Sequence, residues 1–143
     1  MRILVALLLS TGPAWAVRVY VPLPTLCAVA PVVAIGEVTA VEGRWRAGEP
    51  GGIESVVDVA ITRVVRGSAP DALTVVVPGG TVGRVTETIS EAPRARVDAR
   101  YLMLLAPGAD GYTLVGGADG LVPVPWTEGA EAAAIARLGA CHE

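Results

Sequence analysis

The side chains that could do chemistry in this chain are few, and several stand near its two ends. Cys141, His142 and Glu143 are consecutive, and Cys27 is the other cysteine. These residue types bind zinc, but a dedicated zinc site usually spaces two Cys or His residues two to four positions apart. Two cysteines in an oxidising compartment instead favour a disulfide. The sequence therefore predicts a Cys27–Cys141 bridge, with no metal and no cofactor.

Catalytic pairs of side chains are the second possibility. An enzyme needs a nucleophile or an acid within hydrogen-bonding distance of a base. Glu37 and Asp58 fall on predicted strands, and Glu87 and Glu91 are four residues apart, but carboxylates in such places commonly face solvent. No serine lies in a GxSxG motif. The sequence predicts a protein that is not an enzyme, and an enzyme that uses carboxylates alone is an alternative.

The composition excludes several classes of function. The chain has 143 residues, of which 52% are hydrophobic and 17% charged, so it has the apolar content of one folded domain. All 11 basic residues are Arg, and they are outnumbered by 14 acidic residues. This balance argues against a nucleic-acid partner, which would require a basic surface.

The beginning of the chain has the order of an export signal. Arg2 supplies a positive charge, residues 3–9 are apolar, and residues 14–16 form an A-x-A cleavage pattern. Such a short apolar run cannot cross a bilayer, which takes about 20 residues, and no later stretch without a charge reaches that length. We therefore expect a signal peptide at 1–16, one exported domain at 17–143 in the periplasm or the medium, and no transmembrane segment.

The middle of the chain has the pattern of short strands. Apolar residues alternate along 32–41 and 53–66, and β-branched or apolar runs follow at 73–77 and 100–106. Gly36 interrupts the first strand and indicates a bulge or a close approach. Two Asp-Gly pairs, at 110–111 and 119–120, predict tight turns and hence a three-stranded meander that ends near residue 124.

Each end of the domain predicts a short helix. Leu23, Leu26 and Cys27 have helical spacing, and at the other end Thr127 is the expected cap of an Ala-rich helix that ends near Gly139. Five or six strands with a helix at each end predict a mainly β fold. A small antiparallel OB-like barrel is the best match by size, and a β-sandwich is the alternative.

Five segments occur in an order typical of one group of proteins. They are APVVAIGEVTAVEGRW, VVDVAITRVVRG, LTVVVPGG, APRARVDARYLMLLAP and GYTLVGGADGLVPV. Over about Leu26 to Val124 this order resembles small exported bacterial proteins of uncharacterised function. The arrangement also resembles the OB-like domains of netrin modules and of tissue inhibitors of metalloproteinases. The resemblance implies a barrel architecture and no specific chemistry.

Two polar loops, 42–52 and 81–100, are the candidate binding sites of this apolar chain. Loops on a rigid scaffold often carry function, and an exposed aromatic residue beside arginines can anchor a partner. The candidate binding residues are Arg44, Trp45, Arg46, Arg84, Arg94 and Arg96.

These patterns together predict a non-enzymatic exported module that binds a protein or another extracellular ligand. The architectural resemblance suggests an alternative, an inhibitor or accessory of an exported protease. The inhibitors begin their mature chain with a metal-chelating cysteine, whereas this chain would begin with Val17.

Overall fold

The computed structural model of the protein describes residues 19–48 and 51–142. The predicted signal peptide, at residues 1–16, lies outside these ranges. Glu143 and the side chain of His142 also lie outside them.

Within these ranges the chain is built mainly from strands, with a short helix near each end. The elements in chain order are α1 (Leu23–Val29), β1 (Val32–Trp45), β2 (Ile53–Arg66), β3 (Ala72–Pro78), β4 (Gly80–Val82), β5 (Val85–Glu87), β6 (Arg100–Gly108), β7 (Gly111–Leu114), β8 (Leu121–Pro123) and α2 (Ala130–Ala136). Two 3-10 turns, at Gly117–Gly120 and Gly139–His142, complete them. The mainly β fold predicted from the sequence is confirmed, and none of the helices in this part of the chain is long and apolar enough to cross a membrane.

Five strands close into a ring in the order β1-β2-β3-β7-β6 and back to β1. This closed ring, with its short terminal helices, is the OB-like barrel that the sequence predicts. The pairings are antiparallel except for one, since β3 and β7 run parallel through Val75 and Tyr112. A closed ring with an odd number of strands cannot have every neighbour antiparallel, so one parallel pairing is unavoidable.

The barrel has an inner and an outer apolar core, because β1 and β6 are buried on both faces. Val32, Ala34 and Val38 of β1 point inside the ring and pack with alternate residues of the other strands. Val33 and Ile35, of the opposite parity, pack outside the ring beneath α1 and α2. Successive side chains of a strand point to opposite faces, so β1 contributes to both cores.

The predicted disulfide is confirmed, and it joins the two ends of the domain over the outer core. Cys27 of α1 is fully buried and bonds to Cys141, which lies 114 positions later in the second 3-10 turn. The Cα atoms of the two residues are 6.0 Å apart. Arg66 of β2 donates a 2.7 Å hydrogen bond to the carbonyl oxygen of Cys27, so α1 is also bound to the barrel wall.

The first strand runs farther than the sequence predicts. The sequence predicts a loop from residue 42, but residues 42–45 continue the ladder with β2, so that Arg44 pairs with Glu54 and Trp45 with Ile53. Arg44 and Trp45 therefore lie on a strand and not in a loop. The apolar alternation stops before this segment, and the pairing with β2, which includes an ion pair between Arg44 and Glu54, carries the strand onward.

The predicted meander is wrong at its third strand. The β6–β7 hairpin is present, with Gly111 at φ 131°, but β8 pairs with β6 and not with β7. The second Asp-Gly pair lies in a 3-10 turn, which redirects the chain back to β6. The segment from 81 to 93, predicted to be mostly loop, contains the β4–β5 hairpin.

The helix near the end of the chain begins later than predicted. Gly129, at φ 80°, precedes α2, and the Thr127 side chain makes no capping hydrogen bond. The carbonyl oxygen of Thr127 accepts the N–H of Ala130 at 3.3 Å instead. The helix ends at Ala136, and Gly139 adopts φ 64° at the following 3-10 turn.

Removal of the disulfide should destabilise the domain strongly. The unfolded chain gains the freedom of a loop of more than a hundred residues, so we expect a Cys27→Ser/Cys141→Ser variant to lose about 3–4 kcal/mol of unfolding free energy. Urea denaturation measures this loss. The unsubstituted protein in reductant is the control and should lose a similar amount. An unchanged urea midpoint in both would show that the bridge does not constrain the fold.

Gly36 should tolerate no side chain. A Cβ atom built there would lie 2.5 Å from Cγ1 of Val59 and 2.9 Å from the carbonyl oxygen of Ala60. We expect Gly36→Ala to lower the unfolding free energy by about 1–3 kcal/mol through overpacking. Gly108→Ala is the matched control, since its Cβ would meet only Thr113 Cγ2 at 3.2 Å and Gly111 O at 3.5 Å. Equal urea midpoints for the two variants would contradict the close approach.

Candidate functional site

A groove of about 620 Å³ lies between the segment that precedes β6 and the segment that follows β8. Tyr101 of β6 is at its floor. One wall comes from residues 93–99 and the other from residues 121–126. We call it the Trp126 groove. Its lining includes Arg94, Arg96, Val97, Asp98, Arg100, Pro123, Pro125 and Trp126.

Trp126 is exposed and yet held in place. Its indole Nε1 donates a 3.1 Å hydrogen bond to the carbonyl oxygen of Asp98, on the opposite wall. The guanidinium carbon of Arg100 lies 4.5 Å from the ring centroid, within the range of a cation–π interaction. The residue nevertheless keeps 59% of its surface exposed. The groove thus has a fixed aromatic ring with a large free apolar surface.

Arg100, the first residue of β6, binds the far wall of the groove to the barrel. Its guanidinium donates to the carbonyl oxygen of Pro125 at 2.6 Å and to a carboxylate oxygen of Glu131 at 3.4 Å. Its side chain is only 13% exposed. Arg63 of β2 lies 3.3 Å from the other oxygen of Glu131, so two arginines share one carboxylate of α2. This network positions the segment that carries Trp126.

Arg94 and Arg96 stand at the rim of the groove with exposed side chains. Neither guanidinium forms an ion pair or a hydrogen bond with any residue in the described part of the chain. The backbone N–H of Arg96 donates to the hydroxyl oxygen of Tyr101 at 3.0 Å, which ties this part of the rim to β6. The rim therefore presents two guanidinium groups that are available to a ligand.

The groove lies beside β8, whose outer edge is a poor template for another strand. β8 is three residues long, pairs with β6 alone and ends the sheet. Pro123 has no N–H to donate, and short edge strands with proline resist pairing with a second chain. A ligand in the groove would therefore be recognised through side chains rather than by extension of the sheet.

The six candidate residues from the sequence do not form one site. Only Arg94 and Arg96 reach the Trp126 groove. Arg84 lies in the turn between β4 and β5, outside the Trp126 groove.

The other three candidates lie together near the end of β1. Arg44 pairs with Glu54 at 2.8 Å and with Asp110 at 3.5 Å, and Arg46 approaches Glu54 at 4.0 Å. Trp45 is 57% exposed beside them. These arginines are engaged with the protein's own carboxylates, so their groups are less available than those of the groove.

Two residues of the groove, Arg100 and Trp126, were not among the candidates. The sequence places Trp126 just before a helix, and Arg100 at the start of a strand. Their contact joins residues 26 positions apart, and no local pattern indicates it. The available signal was the spacing of Pro123, Pro125 and Trp126, which keeps this segment extended and out of the helix.

A second cavity, of about 290 Å³, lies at one end of the barrel beside the β4–β5 hairpin. Its polar groups hold the protein together. The buried hydroxyl of Ser55 donates to the carbonyl oxygen of Gly79 at 2.7 Å, and the Glu87 carboxylate accepts the N–H of Ile53. These bonds fix the hairpin on the start of β2 and account for Glu87 without a catalytic role.

The other pair of carboxylates weighed from the sequence is out of register. Glu37 lies opposite Ala60 and Asp58 opposite Ala40, so the two are not direct neighbours across the ladder. Asp58 accepts a 3.2 Å hydrogen bond from the Thr74 hydroxyl. In the described ranges, no three His, Cys, Asp or Glu side chains cluster as a metal ion would require. An enzyme that uses carboxylates alone stays a prediction that no geometry here favours.

A comparison with models of known protein families finds no match, and a search of curated protein sequences finds none either. The resemblance to small exported OB-like proteins stays a prediction from the sequence.

Loss of the Arg100 guanidinium should free Trp126. In protein labelled with 5-fluorotryptophan, we expect Arg100→Ala to move and sharpen the ¹⁹F resonance of Trp126, because the ring loses its cation and its wall loses its hydrogen bonds. Trp126→Phe assigns the resonance. Arg63→Ala is the matched control, since Arg63 shares Glu131 and does not contact the ring. If both variants leave the resonance unchanged, Arg100 does not position Trp126.

Proposed function

We propose that this protein is a non-enzymatic binding module of an exported compartment, and that it holds a partner protein in the Trp126 groove. The observation that carries the proposal is the state of Trp126, which is immobilised by Asp98 and Arg100 while most of its surface stays exposed. The export part of the proposal rests on the signal pattern at 1–16 and on the Cys27–Cys141 bridge, because such bridges persist in oxidising compartments.

An exposed aromatic ring of this kind is a suitable anchor for a protein partner. Tryptophan and arginine are enriched among the residues that dominate binding energy at interfaces. Binding also costs the ordering of side chains, about 0.5–1.5 kcal/mol for each flexible one. Trp126 already has two contacts within the protein, with Asp98 and Arg100, and these contacts reduce that cost at the moment of binding.

A second exposed apolar residue extends the surface. Val97 is 48% exposed and lines the same groove as Trp126. Exposed apolar groups that are contiguous and surrounded by polar residues mark interaction sites more often than isolated ones do. The arginines at 94 and 96 provide that polar surround. An inhibitor or accessory of an exported protease is one form such a module could take, and no contact of the groove favours it over other partners.

Site-specific crosslinking tests the proposal. A photoreactive amino acid at Val97 should form a discrete adduct in cells that export the protein, and the adduct should vanish when Trp126→Ala is added. The same photoreactive residue at Val85, on the β4–β5 hairpin, is the matched control, since Val85 is equally exposed at 50% and lies outside the groove.

Two results would contradict the proposal. One is an equal pattern of adducts from positions 97 and 85, which reports random collision. The other is an adduct at 97 that survives Trp126→Ala in a variant whose urea midpoint matches that of the parent, since the anchor would then contribute nothing.

A further inference from the structure

We infer that the occupant of the Trp126 groove is an acidic, extended segment of the partner protein, bound through its side chains. This inference rests on the proposed function and adds the chemistry of the ligand to it. It follows from the charges of the rim, from the apolar surface of Trp126 and from the outer edge of β8, where Pro123 disfavours pairing with another strand.

The first observation is how the arginines of this chain are used. Most of the described arginines have a partner within the protein: Arg44, Arg46 and Arg63 pair with carboxylates, Arg66 donates to a carbonyl, and Arg100 does both. The guanidinium groups of Arg84, Arg94, Arg96 and Arg137 have no ion pair or hydrogen bond with the described residues. Two of these four, Arg94 and Arg96, stand on the rim of one groove.

Free arginines at a groove are best satisfied by carboxylates. The planar guanidinium offers parallel N–H donors that match the two oxygens of a carboxylate. The chain holds 14 acidic residues, yet the groove is lined by a single described carboxylate, Asp98, which forms no ion pair with either arginine. The positive charge of Arg100 is only partly offset by Glu131, because that carboxylate also pairs with Arg63. The rim therefore keeps an excess of positive charge that an acidic ligand would complement.

The second observation concerns the apolar part of the ligand. Arg100 covers one part of the Trp126 ring, and the rest of the ring faces the groove with Val97 and Pro125. An aliphatic or proline side chain fits this surface, because a second cation would be repelled by Arg100. The ligand should therefore combine Asp or Glu with an apolar residue.

The third observation sets the ligand's backbone conformation. Pro123 prevents a partner strand from pairing with β8, so an extended or polyproline-like segment that uses its side chains fits better than an added strand. The surface is also a concave groove between two walls, which suits a chain segment better than the flat headgroup region of a membrane. An anionic membrane is the other source of negative charge, and the test below distinguishes it.

Selection from a library of random displayed peptides tests the inference. The oxidised, exported form of the protein is the target, and the enriched peptides are then compared for binding to the parent and to the Trp126→Ala variant. We expect the enriched peptides to carry Asp or Glu beside an aliphatic or proline residue. Fluorescein-labelled copies of these peptides, titrated by fluorescence anisotropy, should bind Arg94→Ala/Arg96→Ala about 10-fold or more weakly than the parent, the size expected for the loss of a hydrogen bond to a charged group.

Matched variants on both sides sharpen the test. Arg84→Ala removes an equally free arginine outside the groove and should leave the affinity unchanged. Replacement of the peptide's Asp and Glu by Asn and Gln should weaken binding to the parent, and should have little further effect on Arg94→Ala/Arg96→Ala. A double-mutant cycle of this kind measures the pairing itself.

Each contrary outcome of the selection leads to a different conclusion. Neutral or basic peptides that depend on Trp126 would overturn the acidic ligand and leave the proposed function standing. Peptides that bind Trp126→Ala and Arg94→Ala/Arg96→Ala as well as the parent would overturn both. If no peptide is enriched, and vesicles of phosphatidylserine and phosphatidylcholine bind in a manner that requires Arg94 and Arg96, the negative surface is a membrane and the inference is wrong.

Discussion

The double pairing of β1 is the constraint on which the rest of the structure depends. Residues Val32–Glu37 pair with β6 on one side while residues 33–45 pair with β2 on the other, and this closes the ring. Gly36 lies where the ladder with β2 shifts register, and there the neighbouring backbone leaves no room for a side chain. Because β6 is fixed by β1, its first residue, Arg100, is fixed as well, and the candidate site begins at Arg100.

The outer core links the position of β1 and β6 to the position of the far wall of the groove. The helices near both ends pack on the outer faces of β1 and β6, and the Cys27–Cys141 bridge joins their ends. α2 carries Glu131, which two arginines share. The position of Trp126 thus depends on a series of contacts. The barrel positions Arg100, Arg100 contacts the Trp126 ring, and Glu131 of α2 holds the Arg100 side chain. The Trp126 ring is therefore positioned by tertiary contacts and not by the helix or strand preference of its own segment.

The sequence predicted well those features that depend on local alternation or on residue type. β2 has the bounds that its apolar alternation indicates, Gly36 marks a close approach, and two cysteines pair. The predictions from the sequence were wrong where the structure depends on which strands pair with each other. The end of β1 is held by β2 although its side chains lack the pattern, and β8 joins β6 because a 3-10 turn redirects it. The groove was only half predicted, through Arg94 and Arg96, because the contact of Arg100 with Trp126 is tertiary.

The net charge of the protein, −3, does not argue against an acidic partner. At physiological ionic strength charges are screened over about 8 Å, so a ligand in the groove responds to the groups that line it and only weakly to the rest of the surface. Most described carboxylates near arginines are paired, which leaves Arg94 and Arg96 as the local exception. Selectivity in such a site comes from short-range pairing with the two arginines and from apolar contact with Trp126, and not from the net charge of the molecule.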